Sequence, residues 1–85
     1  MFDYQFTKTS LKRFKKLPKD IQIRIIKKIG FFLSQPDPLI YAEVLTNSRI
    51  GKYRFRIGDY RVVFDLEEEE IIMVLDIDHR KDIYK

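Results

Sequence analysis

At its start the chain alternates apolar and polar positions: Phe2, Tyr4 and Phe6 fall on one side, Asp3 and Gln5 on the other. A period of two predicts a short strand. The period then changes. Leu11, Phe14 and Leu17 recur at helical spacing while Lys12, Arg13, Lys15 and Lys16 turn outward. This predicts a short amphipathic helix capped by Thr7 or Thr9. Pro18 interrupts it and suits the first turn of a second helix, from about Lys19 to Ser34. The buried stripe of that helix is Ile21, Ile25, Ile26, Ile29, Phe32 and Leu33. Ile21 to Ile25 also alternates like a strand, but the helical spacing continues well beyond it. Ile23 and Phe31 fall off the stripe. Two readings stay open for them: a wide buried face, or a dry patch that contacts a partner protein. Gln35-Pro36-Asp37-Pro38 ends the helix, because proline cannot continue it. Leu39 to Gly51 has no clean period and reads as a loop, with Ala42 to Leu45 open to a short helix or strand.

After Gly51 the pattern sharpens. Tyr53, Phe55 and Ile57 alternate with Lys52, Arg54 and Arg56. Gly58-Asp59 is a two-residue turn of the Gly-X kind that fits a tight hairpin. Tyr60 to Leu66 is the returning strand and Glu67 to Glu70 the next turn. Ile71 to Ile77, nearly all apolar, reads as a strand buried on both faces, and Asp78 to Lys85 as a charged tail. The expected fold class is α+β: an N-terminal strand, a two-helix hairpin, then a three-stranded antiparallel meander. Together they form one sheet packed on the helices, in a single domain over residues 1–85.

The first hairpin sets the arginines. With Gly58 and Asp59 in the loop, Arg56 lies opposite Arg61, Phe55 opposite Val62 and Arg54 opposite Val63. Opposite residues share a face. Tyr53, Phe55, Ile57, Tyr60, Val62 and Phe64 therefore form a core face, and Arg54, Arg56 and Arg61 the other. A second turn centred on Glu68-Glu69 places Leu66 opposite Ile71 and brings Asp76 opposite Arg61. Like charges facing each other oppose sheet formation, and such local conflicts often mark functional sites. The alternatives are a solvated face with Arg61 held by Asp76, or a phosphate site with His79, Arg80, Lys81 and Tyr84 close by. Guanidinium forks suit phosphate oxygens.

Composition narrows the chemistry. Among 85 residues there is no cysteine and one histidine, so disulfides, thiolate zinc sites, a Cys nucleophile and multi-His metal sites are excluded. Neither a metal nor a cofactor is expected. There is no apolar run of the roughly 18 residues that a membrane span needs. Met1-Phe2-Asp3-Tyr4 shows no basic-then-apolar leader, so a cytoplasmic location away from membranes is expected. The net charge is +4 and is unevenly placed: nine Lys/Arg against two Asp up to Gln35, then eight against eleven acids. A basic balance makes nucleic acid the first partner to weigh. Cutting RNA by its own 2′-OH needs a base, cations for the charged phosphorane and an acid for the 5′ oxygen. Arginines on rigid strands serve the second need. His79 is the natural proton shuttle, being the side chain type that titrates nearest neutrality. No conventional Glu or His base is evident beside the arginines.

The strand-helix-helix-meander order resembles the RelE toxins of bacterial and archaeal toxin–antitoxin pairs. It does so together with Gly51-Lys-Tyr-Arg-Phe-Arg-Ile-Gly-Asp-Tyr-Arg-Val-Val-Phe64 and Asp76-Ile-Asp-His-Arg-Lys-Asp-Ile-Tyr84. The likeness runs over essentially the whole chain and extends to the wider RelE/ParE superfamily. It implies a ribosome-dependent endoribonuclease that enters the ribosomal A site, cuts mRNA to leave a 2′,3′-cyclic phosphate and stops translation. A cognate antitoxin would wrap it in a hetero-oligomer. By motif, Arg61 matches the arginine at the scissile phosphate, Arg80 that of the final basic motif, Tyr84 the tyrosine that stacks on substrate, and His79 the His of relatives ending in His-Arg. Arg54 and Arg56 stand where the best-known pattern has lysines, and an arginine is a poor base. Lys52 and Lys81 would add RNA contacts, and Ile23 and Phe31 antitoxin contacts. Two alternatives follow from the same resemblance: a ParE-like inhibitor of DNA gyrase without nuclease chemistry, or an inactive relative that only binds an antitoxin.

Overall fold

The computed structural model describes residues 2–79. The elements are β1 Asp3–Phe6, α1 Lys8–Lys15, α2 Lys19–Leu33, a 3₁₀ turn Pro38–Tyr41, β2 Ala42–Val44, β3 Tyr53–Ile57, β4 Tyr60–Glu67 and β5 Ile71–His79. One sheet holds all five strands in the order β1-β5-β4-β3-β2. β1 runs parallel to β5 and the other pairs are antiparallel. The expected α+β plan is present, and Ala42 to Val44 resolves as an additional edge strand. Among the described residues no helix is long and apolar enough to cross a membrane.

The helices cover one face of the sheet. Ile25, Ile29 and Phe32 from α2, with Phe14 from α1, pack on Phe55, Ile57, Val62, Phe64, Ile72, Val74 and Ile77. Phe55 sits between two rings, its centroid 4.6 Å from Phe32 and 4.5 Å from Phe64. Ile23 and Phe31 are 55% and 48% exposed, so the wide buried face does not hold for them. Leu11, expected inside, is also exposed; Ser10 takes the inward place. The Thr7 hydroxyl accepts from the Ser10 N–H, and the Ser10 hydroxyl donates to the Val74 carbonyl at 2.8 Å. A helix this short is oriented by that polar tie as much as by its apolar side chains.

β5 departs from expectation in extent, burial and register. It runs on to His79, so Asp78 and His79 belong to the strand rather than to a tail. Only one of its faces is buried, through Ile72, Val74 and Ile77. The turn before it takes three residues, so Glu67 pairs with Ile71, Leu66 with Ile72 and Phe64 with Val74. Continued unchanged, that register would set Asp76 opposite Val62 and aim a carboxylate into the core. Instead the ladder shifts between Val63 and Phe64, leaving Leu75 as an extra residue. Val63 then faces Asp76, Val62 faces Ile77, and Arg61 faces Asp78 rather than Asp76. Gly51 packs at this bulge. A Cβ there would lie 2.9 Å from Leu75 Cδ1, 3.0 Å from Val63 Cγ1 and 3.1 Å from the Phe64 carbonyl oxygen.

Both tight turns use left-handed backbone. Gly58 supplies it without strain at φ 60, at the first central position of its turn. In the second turn Glu68 and Glu69 take φ 50 and 65, and the Glu70 N–H closes on the Glu67 carbonyl at 3.1 Å. A turn with both central residues left-handed favours Asn-Gly. Glu68→Asn with Glu69→Gly is expected to raise unfolding free energy by about 1–2 kcal/mol, measured by urea titration. Gly51→Ala is expected to lower it by about 1–3 kcal/mol through overpacking at the bulge.

Candidate functional site

The sheet face away from the helices carries the charge. Reading across one row, Glu43, Arg54, Val63 and Asp76 are successive cross-strand neighbours; in the next row, Arg56, Arg61 and Asp78 are. The Arg56–Arg61 opposition read from the sequence is therefore present. Its repulsion is offset from both sides, by Glu43 on β2 and by carboxylates on β5.

Glu43 is the residue that pattern reading missed. An Arg54 NH₂ group donates to Glu43 Oε2, and Arg56 Nε lies 3.3 Å from Glu43 Oε1. The Arg54 hydrogen bond holds the Glu43 carboxyl below the usual carboxylate range. Burial opposes this, while the charges of Arg54, Arg56 and Arg61 add to it. Glu43 lies in the stretch without a clean period; the available signal was Ala42-Glu43-Val44, a minimal alternation ahead of a basic strand. It also places a carboxylate beside the arginines, where none was evident from the pattern.

The three guanidinium groups differ in depth. Arg56 is exposed, Arg54 half-buried and Arg61 only 1% exposed. Arg61 donates from NH1 to the Tyr60 carbonyl at 3.3 Å. The Nε–H groups of Arg54 and Arg61 are buried, and among the described residues neither finds an acceptor. Buried donors of this kind are rare and call for explanation.

Asp76 does not hold Arg61. Instead the Arg13 fork reaches from α1 across the sheet edge, NH1 to Asp76 at 2.7 Å and NH2 to Asp78 at 3.1 Å. His79 is also placed differently from expectation. It pairs with Tyr60, whose ring it meets edge-on at 5.1 Å, on the helix side of the sheet. There it lines a shallow groove with Lys16 and Leu17. The strand's alternation thus separates His79 from the arginine face. Lys52 precedes β3 with an exposed side chain, its N–H donating to the Asp65 carboxylate at 2.7 Å. Arg80, Lys81 and Tyr84 lie outside the described residues. Among the described residues no three His, Cys, Asp or Glu side chains gather to hold a metal. Beside Arg54, the connection from Leu45 to Ile50 overhangs Val63, Asp76 and Asp78 and encloses a cleft of about 340 Å³.

Residues 4–84 match the family described as the ParE toxin of type II toxin–antitoxin systems, parDE. The chain is 29% identical over 85 residues to toxin RelG of Mycobacterium tuberculosis, covering 99% of this chain and 97% of that protein. In structure it is similar to a chain of the toxin–antitoxin complex RelBE2 from Mycobacterium tuberculosis. The TM-score is 0.78 at 28% identity, over 93% of this chain and 98% of that one. A chain of the RelB–RelE antitoxin–toxin complex from Methanococcus jannaschii gives a TM-score of 0.69 at 26% identity, over 93% of each.

The Glu43 pairing has a pH signature. A carboxyl lowered by folding contributes stability that is present above its unfolded value, near 4.5, and lost as pH falls through the lower folded value. Arg54→Met is therefore expected to return the Glu43 titration toward the ordinary range, read from its side-chain carboxyl ¹³C shift. An unchanged titration would remove Arg54 as the cause.

Proposed function

The chain belongs to the ParE toxin family, within the RelE/ParE superfamily, and is the toxin of a type II toxin–antitoxin system; from that premise we propose that it cuts mRNA on the ribosome. The observation that carries this is the arginine face: three guanidinium groups at graded depth, two with buried Nε–H donors that find no acceptor among the described residues. Guanidinium charge concentrated on rigid strands is what a phosphate group is drawn to.

In this reading Arg56 meets the scissile phosphate at the surface, and Arg54 and Arg61 add positive potential from beneath. Their charge is pre-placed where the phosphorane develops, so little reorganisation is needed at the moment of reaction. Glu43 accepts the 2′-OH proton. The 2′ oxygen bonds to phosphorus, the bond to the 5′ oxygen breaks, and a 2′,3′-cyclic phosphate remains. Phosphate binding on Arg56 draws its charge from Glu43 and raises the basicity of that carboxylate as substrate arrives. Tyr84 of the closing motif gives the leaving 5′ oxygen its proton and Arg80 offsets its developing charge, with Lys52 and Lys81 contacting the RNA backbone. His79, held against Tyr60 on the other face, receives no proton-transfer step. The protein acts in the cytoplasm, in a hetero-oligomer with a cognate antitoxin that contacts exposed Ile23 and Phe31. The solved RelB–RelE complexes support that partner.

The ParE family match favours a second reading, inhibition of DNA gyrase, which needs no such constellation of arginines. Primer extension on a reporter mRNA, with and without translation, separates the two. Cuts confined to translated message support the nuclease. Intact message with filamentation and a DNA-damage response supports gyrase, and no growth effect points to an inactive antitoxin-binding relative. Arg61→Met, which keeps the buried stem, is expected to fold and to cut on the order of 10²–10³-fold more slowly. Unchanged cutting would remove Arg61 from the mechanism.

A further inference from the structure

The cleft beside Arg54 has walls unlike the rest of the arginine face. Leu45, Ile50 and Val63 give it apolar surface, and Asp76 and Asp78 add two carboxylates to its lining. At about 340 Å³ it falls at the lower end of the ~300–1,000 Å³ that holds small organic ligands. Apolar walls with a few placed polar groups suit a flat heterocycle. Arg54 borders this cleft while donating to Glu43, so one guanidinium joins the cleft to the phosphate cluster.

We infer that this cleft holds a base of the RNA next to the scissile phosphate and selects bases that present an amino group to Asp76 and Asp78. The inference rests on RNA being the substrate. An ionised carboxylate only accepts hydrogen bonds. It pairs with the exocyclic amino group of cytosine or adenine, or with the N–H groups of guanine. Uracil offers one N–H between two carbonyl oxygens, and those oxygens are repelled by a carboxylate. The aim of the pair is fixed from outside the cleft. Arg13 holds one oxygen of each aspartate, and the Asp76 carboxylate also accepts from the Ile77 N–H at 2.9 Å. Arg13 is thus a positioning residue, acting on base choice through the two carboxylates.

The leucine, isoleucine and valine methyl resonances of the folded protein report the cleft directly. Cytidine 3′-monophosphate and uridine 3′-monophosphate are matched probes, differing at the pyrimidine edge, and inorganic phosphate is the control. The cytidine nucleotide is expected to shift Leu45, Ile50 and Val63 and to bind about fivefold more tightly than the uridine nucleotide, the worth of one hydrogen bond. Phosphate alone should leave those methyls in place. Asp76→Asn, whose amide donates as well as accepts, should reduce the preference to about unity. Ile50→Ala, at an exposed position, should weaken both nucleotides alike and keep their ratio. Equal binding of the two by the parent overturns the inference. So do shifts produced by phosphate alone, shifts elsewhere, or none with any nucleotide. A parent that cuts translated mRNA yet shows no preference here leaves the nuclease reading standing and removes the base cleft. A clear preference without cutting does the reverse.

Discussion

The two-faced character of the central strands depends on one extra residue, Leu75. β4 and β5 pair in a register that, carried through, would turn Asp76 and Asp78 toward the helices and Ile77 toward solvent. A buried unpaired carboxylate is among the costliest faults a small core can carry. The bulge at Leu75 reverses the alternation once, so apolar side chains stay inside on either side of it. Gly51 makes that possible by leaving room for the Leu75 side chain. The positions of Asp76, Asp78 and His79 all follow from this single shift, while the β3–β4 hairpin places the arginines.

The charged face is then a balance rather than a simple basic patch. Glu43 bridges Arg54 and Arg56 and Arg13 engages both β5 aspartates, while Arg61 lies deepest and, among the described residues, donates only to the Tyr60 carbonyl. Such an arrangement costs stability in the free protein. Its retention on rigid strands is what a site that receives an anion would show. Glu43, paired with both Arg54 and Arg56, screens these two guanidinium groups from full mutual repulsion.

Much of the fold could be read from period alone. The helix stripe of Ile25, Ile29 and Phe32, the Gly58-Asp59 turn, and the pairing of Arg56 with Arg61 needed only local rules. What escaped was non-local. Nothing local distinguishes Ser10 from Leu11 as the inward residue of α1, because the deciding contact is the Val74 carbonyl. The bulge left a trace, since Ile72 and Val74 share a parity that Ile77 breaks, but the apolar run concealed it. Glu43 was invisible because β2 is three residues long and gains its strand character from pairing with β3. His79 could be placed on the helix side only once the shifted register was known.

The parallel pairing of β1 with β5 has a consequence for the order of events in making the protein. The strand laid down first finds its partner in the strand laid down last, and β5 then sits between β1 and β4. Before residues 71–79 leave the ribosome, β1 has no neighbour, α1 lacks the Val74 carbonyl that orients it, and the core face stays open along one side. Contacts this distant in sequence slow folding, since the connecting loop must close before they form. The growing chain therefore cannot assemble its charged face early. Synthesis itself delays the moment at which the five-stranded sheet and the face it carries are complete.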